Sequence, residues 1–201
     1  ETMAGLISDE SGLNTDRGFV GGYYLQTIAL GPAFFGAFVA PGRWGPEFTK
    51  YLDAYANTAG MWIVGEDMPQ ETNRITLNTD VTDANGLPVA NVHVEDHPND
   101  VAMRNHALTQ GQALYNSVGA IRTIATPPYP STHNLGTCRM SERPGDGVVD
   151  RHGRAHDVPN LFISDGSQFT TGAAANPTLT IVSLAIRQAE YIAEAYRRSA
   201  A

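Results

Sequence analysis

Apolar side chains recur three or four apart through "NPTLTIVSLAIRQAEYIAEAYRRSA", where Leu179, Val182, Ile186, Ala189 and Tyr196 make a broad apolar face. Ser183, Arg187, Glu190, Glu194 and Arg197 fall on the other side, so the spacing predicts a long amphipathic helix packed on a core. Asn176 predicts its N-cap and Pro177 its first helical position, where the missing N–H leaves no bond unmade. A second helix follows from Phe48, Tyr51, Leu52 and Tyr55 in "GPEFTKYLDAYANTA". A third runs through "DVAMRNHALTQGQALYNSV", capped by Asn99 and closed near Gly119.

Strand signals separate these helices. "GGYYLQTI" is aromatic and β-branched, "GMWIVGE" is a short apolar run, and "NRITLNTDVTDANGLPVANVHVE" predicts two strands paired around an Asn85-Gly86 turn. "AIRTIAT" reads as a returning strand before the prolines at 127, 128 and 130. Beyond Val148, "GVVDRHGRAHDVPNLFISDGS" gives short strands around a polar turn, and "NLFIS" is an apolar strand that ends at Asp165, Gly166 and Ser167. Residues 18–42 carry no charge and are long enough for a membrane span, yet six glycines, two prolines and Gln26 make a poor continuous helix. A buried strand with a core-facing turn is expected there, and membrane contact is disfavoured.

Composition narrows the class. The 201 residues are enough for one large or two small domains, and 42% hydrophobic with 17% charged residues is a globular composition. A net charge of −8 and the lack of a basic patch argue against nucleic acid. The single cysteine, Cys138, allows no intrachain disulfide and fits a reducing compartment, so a cytoplasmic location is expected. The opening "ETMAGLISDE" has no charged-then-apolar leader and reads as a processed chain or a piece of a longer one.

Several residues could carry chemistry. His133 sits in the turn-prone "STHNLGTCRM", where an imidazole suits a general base, although a lone histidine in a loop is more often structural. The run "TTGAAA" lets another molecule approach the start of the last helix, where free amides stabilise negative charge; an ordinary capped helix explains the same residues. Asp165-Gly166 stands at a strand end, where open α/β sheets bind ligands, although Asp-Gly is also a common turn. His152 and His156, with Asp150 and Asp157, invite a metal; Gly153 breaks the helix that would align them, and a turn accounts for the same set. His93 and His97 are alike in this, so no metal is expected. Ser167, Asp165 and His133 lack a G-x-S-x-G elbow, which argues against a serine hydrolase.

Taken together, "HNLGTCRM", "GVVD", "VPNLFISDGSQFTT" and "ANPTLTIVSLAIRQAEYI" resemble, in order and spacing, the C-terminal part of the glucose–methanol–choline flavoprotein oxidoreductases. "GMWIVGEDMPQ" and the 73–100 stretch resemble the substrate-domain portion of bacterial members. The resemblance implies an α+β fold: a substrate domain with a mostly antiparallel sheet flanked by helices over residues 1–149, then the C-terminal strand and helix of an FAD-binding α/β domain over 150–201. It implies oxidation of the CH–OH group of an alcohol or sugar by hydride transfer to FAD. His133 would accept the hydroxyl proton, and Asn176 would hydrogen-bond the substrate oxygen. Asp165 and Gly166 would meet the ribityl–pyrophosphate region, and Asn176, Pro177 and Thr178 the flavin ring. The family's G-x-G-x-x-G fingerprint is missing from these residues, so the N-terminal FAD-binding half is expected upstream or on a companion chain. The alternative is a non-catalytic binding module that keeps the scaffold.

Overall fold

A computed structural model describes residues 17–28, 30–129 and 131–199. The opening decapeptide lies outside them. The fold is α+β: the described residues form four α-helices and two separate two-stranded antiparallel sheets. The backbone divides into two compact units, one holding the described residues up to Glu66 and the stretch from Asn99, the other Asp67–Pro98 and the residues from Ser131 on.

In the first unit β1 (Tyr23–Ile28) pairs with β2 (Gly60–Gly65), Tyr23 opposite Gly65 and Ile28 opposite Gly60. Tyr23 and Leu25 point to one face by the period-two alternation of a strand and bury themselves with Phe19, Met103 and Ala107. Gly65 leaves room for Met103 beside them: a Cβ there would lie 2.4 Å from the Met103 Cε and push that side chain aside. Met103 and Ala107 come from α3 (Pro98–Ser117). This helix starts at Pro98, so Asn99 lies in its first turn instead of capping it, and its side chain brackets one residue, accepting from the Val20 N–H at 2.8 Å and donating to the Val20 carbonyl at 3.1 Å. It ends as the glycine predicts: Gly119 has φ +81°, and the N–H groups of Gly119 and Ala120 close on the carbonyls of Asn116 and Tyr115.

Two further sequence expectations change in this unit. The turn expected after β1 is a helix, α1 (Pro32–Val39), started by Pro32 and packed through Gly36 against the Phe48 ring of α2 (Pro46–Asp53). No helix among the described residues is long and apolar enough to cross a membrane. "AIRTIAT" forms no strand, and Ile121 is fully exposed. β-Propensity needs a neighbouring strand to act on, and the described residues give this segment none.

In the second unit β3 (Arg74–Thr82) and β4 (Pro88–His93) form the expected hairpin, with Gly86 at φ +79°. The Asp83 carboxylate accepts from the N–H groups of Asn85 and Leu87, and the Leu87 and Asn85 bonds hold it below its ordinary pKa. The segment from Val148 to Ser164 makes isolated bridges, Val149 with Ala155 and Arg154 with Phe162, in place of the expected regular strands. The final helix, α4 (Thr178–Ser199), is present. Its seat differs from expectation: Leu179, Val182, Ile186 and Tyr196 are exposed, while Gln188 is buried and Ile181, Leu184, Ala185 and Tyr191 are half-buried. Period alone marks an apolar stripe and cannot say which part of it this chain covers.

Candidate functional site

The loop that carries His133 is held by backbone pairing. Its N–H donates to the Ser131 hydroxyl at 3.1 Å, a local turn that starts the loop. Downstream, Gly136, Cys138 and Met140 donate in turn to the carbonyls of Gly166, Ser167 and Gln168, the last two bonds at 2.8 Å. Gly136 has φ +85°, which a side chain rarely adopts, so the loop turns there. The His133 ring itself is exposed.

The partner segment is the short helical turn Gly166–Gln168. Asp165 caps it, its Oδ1 accepting from the Ser167 N–H at 2.8 Å. The Ser167 hydroxyl and N–H stabilise the charged form and hold this carboxyl below its ordinary value of 3.8. A depressed folded pKa means that the stabilisation is present above the unfolded value and is lost as pH falls through the folded one. Asp165→Ala is therefore expected to flatten the acid-side fall in melting temperature between about pH 5 and 2, by a small amount because the group is exposed.

Gly166 is the meeting point. It is buried, and a Cβ there would stand 2.7 Å from Leu135 Cδ2 and 3.2 Å from Ile181 Cδ1. Leu135 belongs to the His133 loop and Ile181 to the first turn of α4, so loop, turn and helix start converge on this glycine, and any side chain there would have to displace the ends of both. Among the sequence-predicted residues, Asn176 and Thr178 are exposed and Pro177 is half-buried. The first helical bond runs from the Ile181 N–H to the Pro177 carbonyl at 3.0 Å, so Pro177, not Asn176, holds the cap position. No hydrogen bond joins the His133 and Asn176 side chains among the described residues.

The donor set at this helix start suits an electron-rich ring edge. The first amides of a helix have no intrahelical acceptor, and the exposed small residues Ala173 and Ala175 leave the approach open. Among the described residues no group of three or more His, Cys, Asp or Glu side chains could hold a metal. His152 stacks on Tyr191 at 4.0 Å and 6°, and the Ser141 hydroxyl, donating to the Arg143 carbonyl, accepts from His156 Nε2 at 3.1 Å.

The sequence reading missed the residues that seat α4. Gln188 is 5% exposed, and its amide donates to the carbonyls of Ile163 at 2.7 Å and His152 at 3.0 Å. The signal was there: Ile181, Leu184, Ala185 and Gln188 stand at helical spacing, and the last is a polar side chain closing an apolar row.

A family model of the GMC oxidoreductases matches residues 69–185. The chain belongs to this family. A 2-methyl-1,2-propanediol dehydrogenase of Mycolicibacterium austroafricanum is 39% identical over 91% of this chain and 35% of its own length. The fructose dehydrogenase large subunit of Gluconobacter japonicus is 33% identical over 70% of this chain and 25% of its own. A C-glycoside 3-oxidase of Arthrobacter globiformis is 33% identical over 62% and 25%. The chain thus spans about a third or less of the length of these relatives.

Proposed function

We propose that this chain is the substrate domain and the closing helix of an FAD-dependent enzyme that oxidises the CH–OH group of an alcohol or sugar. One observation carries the reading: the His133 loop, the Asp165-Gly166 turn and the start of α4 converge on Gly166. FAD, when bound, would supply the two-electron acceptor for the hydride of the alcohol carbon. His133 takes the hydroxyl proton as the carbonyl forms, a task that suits a neutral imidazole near neutral pH. Asn176 donates to the substrate oxygen and holds the reacting carbon in place. The amides and dipole at the start of α4 stabilise negative charge arriving on the cofactor, already oriented for it. Asp165 and Gly166 would hold the cofactor's ribityl–pyrophosphate region through their backbone.

The N-terminal half with the dinucleotide-binding turn is supplied upstream or by a companion chain. The exposed Leu179, Val182 and Ile186 of α4 offer it an apolar face. The visible spectrum of the intact protein tests the whole reading. Bound flavin that bleaches anaerobically on adding an alcohol or aldose is the expected result. A colourless, fully folded protein would point to a non-catalytic module on the family scaffold.

A further inference from the structure

We infer that Gln188, nearly three helical turns inside α4, is a positioning residue that sets where the start of that helix stands against the Asp165-Gly166 turn; the inference rests on the function proposed above. α4 is anchored to the 163–168 segment at two levels of the same face. Near its start Ile181 packs on Gly166, a contact without directional preference. Seven residues on, about 10 Å along the axis, the two N–H groups of the Gln188 amide reach different carbonyls. One belongs to Ile163, two residues ahead of Asp165, and the other to His152 across the 150–155 turn.

An apolar side chain would bury there at less desolvation cost, so the amide is favourable only because both bonds are made. What it adds is direction. Hydrogen bonds fall off steeply with distance and angle, whereas a methyl contact lets a helix slide or tilt. The surroundings are shaped around it: Gly153 adopts φ +72°, and a Cβ there would stand 2.2 Å from Gln188 Nε2. Tyr191, one turn further, stacks on His152 and closes the same side. Without the amide the helix pivots on Ile181, and Asn176, Pro177 and Thr178 move relative to Asp165-Gly166.

The test uses the intact holoprotein with Gln188→Met, which keeps length and removes both donors. The expected result is flavin still bound, kcat lowered by up to on the order of 10²-fold with KM little changed, and a lower flavin midpoint potential. Amide exchange at residues 181–185 should also quicken, a readout that needs no cofactor. Gln188→Glu adds a pH profile: the protonated carboxyl can donate to one carbonyl and the carboxylate repels both. Its activity and exchange protection should therefore fall with rising pH where wild type stays level. Wild-type kcat, potential and exchange in Gln188→Met would overturn the inference, as would a lowered melting temperature with the other three unchanged. If Gln188→Met does not fold, a flat pH response of Gln188→Glu overturns it. A flavin-free wild-type protein sinks the proposed function instead, while the exchange readout still decides whether Gln188 holds the helix start.

Discussion

Alanine at position 133 is expected to cut turnover of the intact enzyme by on the order of 10²–10⁴-fold while the flavin stays bound. The alcohol's hydroxyl proton must leave as its carbon gives up hydride, and the substitution removes the imidazole that takes it. The loop is expected to survive the change, because its shape comes from backbone bonds of Gly136, Cys138 and Met140 and from the Leu135 contact on Gly166, none of which uses the ring. His133 is also exposed, so its loss opens no cavity. Steady-state kcat alongside flavin absorbance separates the two effects. Near-normal turnover would strip His133 of its proton role, and loss of flavin would make its part structural.

The second large effect is one of stability. Gly153→Ala is expected to cost roughly 3 kcal/mol, the sum of a side chain at positive φ and overpacking of a filled interior. The added Cβ would stand 2.2 Å from Gln188 Nε2 and 2.7 Å from the Ile163 carbonyl, the two partners in one of the bonds that seat α4. Gly86 gives the comparison. Its φ of +79° is nearly the same, but nothing lies within 4 Å of where its Cβ would be, so Gly86→Ala should cost only about 1 kcal/mol. Thermal melts of the two variants decide: equal shifts would mean that the crowding around Gly153 relaxes freely.

Local signals were the legible part. The Asn85-Gly86 hairpin, the glycine stop after α3 and the long closing helix each depend on residues within a few positions of one another. The four motifs that place the chain in its family were likewise readable as strings. The same local rules missed where a partner was required: "AIRTIAT" has strand propensity with nothing described to pair with, and the 148–164 segment makes single bridges only.

By itself the amino-acid sequence determined which residues can be helix, turn or strand, because propensity, capping and period are short-range properties. It also determined the chemistry on offer, an imidazole in a proline-led loop and a helix opened by Asn-Pro-Thr. The tertiary structure decided which of these meet. Leu135 and Ile181 touch through Gly166 although far apart in the chain, and the buried face of α4 is the one closed by Gln188 rather than the more apolar one beside it. Both outcomes depend on contacts between distant segments, and an apolar stripe or a lone histidine carries no record of what will stand opposite it.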